Sequence, residues 1–149
     1  MAYSALSPVS AAIFGKLNVS SLKGVYPGTG AGCLGGIKEY IPQPNTYPMI
    51  FYELSESDQS GLGQGLSVKK IQLRLHAFST ALGQAENQRI MNQAIALLQF
   101  QEPTATGWRV PPIGRPNEVI PIEFAELNGV IVRELVAIFD DIHAGELAA

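Results

Sequence analysis

The chain reads as a single α+β domain in which a mainly antiparallel sheet is packed by one long helix and a short N-terminal helix. Two observations at its centre, Ser67 to Gln99, predict this, and a third extends it. From Lys70 to Phe78 the residues alternate. Ile71, Leu73, Leu75 and Ala77 point one way, and Lys70, Gln72, Arg74, His76 and Phe78 the other, which is the period of a strand with one buried face. After Gly83 the period lengthens. Ile90, Ala94, Leu97 and Leu98 form a stripe widened by Met91 and Ile95, opposite Gln84, Gln88, Asn92 and Gln99, as in an amphipathic helix of about four turns. Strand-like stretches lie on both sides of this pair, so the order is helix, strands, helix, strands.

Composition sets the bounds. A chain of 149 residues suits one domain, domains being most often about 100–150 residues. Its 46% apolar content can build a core, and its 15% charged residues are few. With 15 glycines and 10 prolines, that points to many loops or to surface covered by partners. No apolar run approaches the ~18–20 residues of a membrane span, and the N-terminal stretch lacks the pattern of a signal peptide. A single cysteine, Cys33, excludes an internal disulfide and fits a reducing compartment. The net charge of −3 is uneven: residues 102–149 carry three Lys/Arg against eight Asp/Glu. Such a chain is not built to grip nucleic acid by neutralising phosphates, but it could offer a basic end and an acidic end to identical neighbours.

Taken in order, Ser7-Pro8 opens a helix, serine as cap and proline pre-set for the first turn, with Val9, Ala12, Ile13 and Leu17 as its stripe. Asn18 to Ser21 ends it, and Leu22 to Pro27 reads as a brief extended segment. Gly28 to Gly36 holds five glycines in nine residues. It lacks the lysine-hydroxyl ending of a Walker loop and the strand–loop–helix frame around it, so it is expected to be a mobile or partner-ordered surface loop. Ile37 to Tyr47, with Pro42, Pro44 and Asn45, is a turn-rich connection. Tyr47 to Ser55 is a strand apolar on both sides, Met49 and Phe51 on one and Ile50, Tyr52 and Leu54 on the other. That pattern predicts burial on both faces, by the core and by a neighbouring subunit. Glu56 to Leu66 is a long polar loop with a glycine-rich tip.

Beyond the long helix, Gln101 to Gly107 turns, Trp108-Arg109-Val110 is a short strand, and Pro111 to Pro116 is irregular. Glu118 to Glu126 and Val130 to Phe139 are strands joined at Asn128-Gly129, a strong two-residue hairpin signal. Asp140 to Ala149 is expected to be a frayed or partner-docked tail.

Chemistry is sparse. His76 sits in mid-strand with no nucleophile elbow near it, and reads as a sheet-face or interface histidine. Two histidines and one cysteine without ligand-like spacing give no zinc site, and no cofactor is implied. Glu123 with Glu126, and Asp140 with Asp141, read as solvated carboxylates without a positioned partner. Lys69, Lys70 and Arg74 could touch phosphates, but without stacking aromatics they read as a solvated or subunit-facing group. Trp108 belongs to the core or an interface. A small enzyme or ligand-binding module using His76 and Gly28 to Gly36 is the alternative from a different class.

The arrangement resembles the tail-terminator (tail-completion) family of long-tailed bacteriophages. The features that carry the likeness are the Pro8 to Leu17 helix, Val25-Tyr26-Pro27, and the Tyr47-Pro48-Met49-Ile50-Phe51-Tyr52 strand. A polar glycine loop follows, then Ile71 to Ser79 ending in His76-Ala77-Phe78-Ser79, the Gly83-to-Glu86 helix start, and the closing hairpin. The resemblance implies a structural, non-enzymatic protein. Six copies would form a ring that caps the tail tube, ends its polymerisation and joins it to a head-tail connector or stopper protein. DNA would pass through the lumen without specific binding. The protein would reside in the virion tail or neck after assembly in the host cytoplasm, with no membrane involved. The subunit- and tube-facing residues would be Gly61, Leu62, Gly63, Gln64, Gly65, Lys69, Lys70, Arg74 and His76. Another neck or tail-tube component would share this texture.

Overall fold

A computed structural model describes residues 4–39, 46–59, 68–81, 83–127 and 129–147. Among these residues, three helices, α1 (Leu6–Leu17), α2 (Ser20–Lys23) and α3 (Ala85–Leu98), accompany seven strands. These are β1 (Ile37–Lys38), β2 (Met49–Gln59), β3 (Val68–Ser79), β4 (Thr104–Ala105), β5 (Trp108–Arg109), β6 (Glu118–Leu127) and β7 (Val130–Glu146). The sheet runs β1-β2-β3-β7-β5-β4, with β6 paired to β7. Apart from the parallel β1–β2 contact, every pairing is antiparallel. The fold is thus α+β with a mainly antiparallel sheet.

The alternation in β3 sets the core. Ile71, Leu73, Leu75 and Ala77 are fully buried. Register brings Ile50 and Leu135 beside Ala77, Tyr52 and Ala137 beside Leu75, and Leu54 and Phe139 beside Leu73. Val9, Ile13 and Leu17 of α1 and Ile90, Met91, Ala94 and Leu98 of α3 join the same cluster, as do Trp108, Val110 and Ile113. The α3 stripe is therefore centred on Ile90, Ala94 and Leu98, with Ile95 and Leu97 at its margin. Every helix contributes its buried residues to this face. The opposite face has only a small cluster of Met49, Phe78 and Val132, flanked by Tyr47 and Phe51, and no described helix takes part in it. The two-sided apolarity of β2 is real, and no described helix covers its second side.

Several expectations are corrected. No side chain caps α1 at Ser7; the helix begins at Leu6, whose N–H donates to Ser4 Oγ, and Pro8 falls within the first turn. The predicted extended segment from Leu22 is instead the end of α2. The predicted loop from Glu56 starts later, because β2 runs on to Gln59, pairing across to Val68. The predicted tail from Asp140 is, as far as Glu146, the second half of β7, paired with β3 and β5.

The glycine-rich stretch is pinned, not a mobile loop. Ala31 and Cys33 donate their N–H groups to Ser21 and Leu22 oxygens, Gly32 to Gly24 O, and Gly35 to Pro48 O. From α3, Arg89 Nε donates to Ala31 O at 2.8 Å while its guanidinium lies 3.7 Å above the Tyr26 ring centroid. The glycines are there for close approach: a Cβ on Gly30 would stand 2.2 Å from Ser20 O and 2.7 Å from Gly24 N. Neither is a flexible side-chain tip, so backbone would have to move. Gly30→Ala is expected to cost about 1–3 kcal/mol or more. Gly15→Ala, in the exposed part of α1 with nothing within 4 Å of the added carbon, should instead gain about 0.5–1 kcal/mol. Urea melts of the two variants should move in opposite directions; equal shifts would contradict the tight packing of the glycine stretch.

Candidate assembly interface

The helix-free face of the sheet carries the side chains that alternation turns away from the core. On β3 these are Lys70, Gln72, Arg74, His76 and Phe78; Glu53 and Phe51 lie beside them on β2, and Glu134, Val136 and Ile138 on β7. Ile120 and Ile122 of β6 continue the face past β7, and both are exposed, as are Val119 on β6 and Val130 and Ile131 at the hairpin tip. Ile131 is 70% exposed. A strand pair that leaves five large aliphatic residues in water has the composition of a contact surface. Gln84, just ahead of α3, secures the base of this hairpin by donating from Nε2 to Ile122 O at 3.0 Å and Glu134 O at 3.2 Å.

His76 occupies the middle of the face. Its ring lies between Phe51 and Phe78, at centroid distances of 5.3 Å and 6.2 Å. Nδ1 is 2.6 Å from Glu134 Oε2 and Nε2 is 3.1 Å from Glu53 Oε1. A neutral imidazole has one N–H, and two carboxylate acceptors require two, so this geometry fits the imidazolium. Burial, the largest single influence, opposes the charged ring. The hydrogen bonds and charges of Glu134 and Glu53 together outweigh it and raise the pKa above the ordinary 6.5. As the imidazolium, the ring has no lone pair with which to accept a proton from a substrate.

The other predicted site residues scatter. Lys69 points to the core side of β3, only 8% exposed, with its Cα opposite Asp58 and Ala144, so it does not form one cationic group with Lys70 and Arg74. Lys70 Nζ is 3.6 Å from Asp141 Oδ1, and Arg74 Nε donates to Gln72 Oε1 at 3.1 Å. Both are on the helix-free face, tied into neighbouring side chains. Gly61, Leu62, Gly63, Gln64 and Gly65 lie outside the described residues. Glu53 and Glu134 were not singled out by the sequence, because their role depends on strand register.

A second candidate lies between α1 and the outer side of β2. It is an open cleft of about 550 Å³ lined by Leu6, Ser10, Ala11, Glu39, Tyr52 and Leu54. Tyr52 OH donates to Glu39 Oε1 at 2.7 Å, and Ser10 Oγ donates to the same oxygen. Those two hydrogen bonds lower the Glu39 pKa, while burial above all pushes the Tyr52 phenol up to about 12. Near neutral pH the cluster is a stabilised carboxylate with two neutral hydroxyl donors. That makes a poor base beside an unactivated serine, and it joins α1 to the segment after β1. Among the described residues no group of three or more His, Cys, Asp or Glu side chains is arranged to hold a metal ion, and no helix is long and apolar enough to cross a membrane.

A solved chain from the virion of a native gene transfer agent (GTA) particle superposes on this one with a TM-score of 0.65. The match covers 95% of this chain and 99% of that one, at 13% sequence identity. The two chains share a fold. A second solved chain, 8% identical, reaches a TM-score of only 0.40, too low to carry an argument. No family model matches the sequence, and no curated protein is significantly similar to it.

Proposed function

We propose that the protein is a non-enzymatic structural component of a virion, a tail terminator that forms a ring on the end of a phage-like tail tube. The observation that carries this reading is the end-to-end likeness of its fold to a chain of a GTA virion. Two features of the surface support it. The described helices cover the sheet on one side only, and the β6–β7 hairpin displays aliphatic residues that a lone soluble domain gains nothing by exposing. The most chemically suggestive side chain, His76, has both ring nitrogens engaged by carboxylates of neighbouring strands.

In this reading six copies meet through a heterologous interface, one patch of each copy against a different patch of the next, and the rotation between them closes. The lower rim docks on the tail tube protein, using Lys70, Arg74 and His76 together with Gly61, Leu62, Gly63, Gln64 and Gly65. The upper rim offers no docking surface for another tube ring, so polymerisation stops, and it receives the head-tail connector or stopper protein instead. DNA crosses the lumen without specific binding. The protein functions in the tail or neck of the virion after assembly in the host cytoplasm.

Particles assembled without this chain are expected to have overlong tails, or tails that do not join heads, in negative-stain images. Copy counting by mass spectrometry of intact virions should give about six per particle, the order expected of one closed ring. Tails of normal length joined to heads in its absence would overturn the terminator reading, and dozens of copies per particle would assign the chain to the tube itself.

A further inference from the structure

The cluster around His76 joins three strands that the core already holds together on the other face, and it does so with ionisable groups. Glu53 comes from β2, His76 from β3 and Glu134 from β7. The other charged groups on this face nearby are Lys38 on β1, Arg74 on β3 and Glu118 on β6, with Glu53 and Arg74 directly opposed in register. We propose that His76 is a proton-operated latch that ties β2 to β7 across β3, with Glu53 as the arm that is released when the ring loses a proton.

The two arms are unequal, and that decides which one lets go. The Glu134 side chain is 11% exposed and its oxygen lies 2.6 Å from Nδ1; the Glu53 side chain is 47% exposed and lies 3.1 Å from Nε2. The shorter, better-shielded hydrogen bond keeps its proton. The Nε2 proton, on the open side, leaves to solvent. Nε2 then presents a lone pair to the Glu53 carboxylate, which repels it. Glu53 has somewhere to go, since the Arg74 guanidinium is its cross-strand neighbour and is otherwise held by Gln72 Oε1. Phe51 and Phe78 flank the imidazole and keep the exchange at its edge. Opening thus replaces a three-strand ion cluster by a neutral ring, and the helix-free face becomes one unit more negative.

The direction with pH follows. The folded-state pKa of His76 stands above 6.5, so the latch contributes fully below pH 6.5 and its contribution disappears as pH rises through the higher folded value. This inference is independent of the terminator reading, since it concerns the isolated chain.

The test is an imidazole ¹⁵N NMR titration of the full-length protein, with His76 and His143 assigned separately. His76 should titrate with a midpoint above 6.5 and, once neutral, should be the Nδ1–H tautomer. Glu53→Gln, a change at a half-exposed position, should lower the midpoint by about one unit, as expected for loss of an adjacent carboxylate. A midpoint at or below 6.5, an Nε2–H tautomer, or a midpoint unmoved in Glu53→Gln would each overturn the proposal. The tautomer is read on the unaltered chain, so the outcome does not depend on the variant folding.

Discussion

Ile90→Ala is expected to lower the stability of the folded chain by about 2–5 kcal/mol, the range for emptying a fully buried aliphatic site. Ile90 has no exposed surface and lies on the face of α3 that packs against the sheet. The loss has two parts, the transfer of the missing carbons and the cavity that β3 and β7 cannot close, because their register is fixed on both sides. Against a usual total of about 5–15 kcal/mol, a change of that size threatens folding outright. Leu98→Ala should behave alike, whereas Leu97→Ala, at the margin of the stripe, should cost less. Urea melts of the three variants supply the comparison. If Leu97→Ala were the most damaging, α3 would be rotated about its axis relative to the packing described above.

On the proposed ring reading, Ile131→Asp should leave the melting curve nearly unchanged and abolish ring formation. In the separate subunit Ile131 is 70% exposed at the hairpin tip, and surface changes of this kind usually stay within about ±0.5 kcal/mol. Within a subunit contact the same carboxylate would be stripped of water with no partner, a cost of several kcal/mol per copy. A penalty repeated at each junction prevents closure. Mass photometry of unaltered and variant protein, with tube ends present, measures it. A variant that assembles as well as the unaltered chain would remove the β6–β7 hairpin from the interface.

The sequence was most informative where a single physical demand acted on a whole element. β3 must bury one face only, so Ile71 to Ala77 alternate cleanly, and α3 must cover that face, so its stripe is continuous. β7 was legible only in its first half. Its core-facing residues are Leu135, Ala137 and Phe139, then, beyond a register shift opposite Ile71 and Leu73, Ile142 and Ala144. The irregularity moves the buried set from odd to even positions, and the broken alternation among acidic residues resembles a tail. The glycine stretch misleads for a related reason. Glycine signals freedom in a sequence, yet here Gly30 is required by a neighbouring backbone too near to admit a side chain. The site was half legible. A lone histidine amid an alternating strand is visible, but its partners lie 23 and 58 residues away and meet it only through the register of two strand pairs.

The placement of β7 has a consequence for how the protein comes into being. It is the last strand in chain order and lies inside the sheet, with β3 along one edge and β6 and β5 along the other. On the ribosome, the β2–β3 pair and α3 emerge first, yet the aliphatic face they share has no partner strand on its inner side until β7 has been made. The nascent chain must therefore hold Ile71, Leu73 and Leu75 beside an open backbone edge until β7 follows, the condition under which growing chains stick to one another. Completion is consequently abrupt. Insertion of β7 closes contacts far apart in the chain in one step, the kind of contact that slows folding. In the proposed ring, a subunit becomes competent to join only after β7 is in place, which keeps half-folded chains out of the assembly.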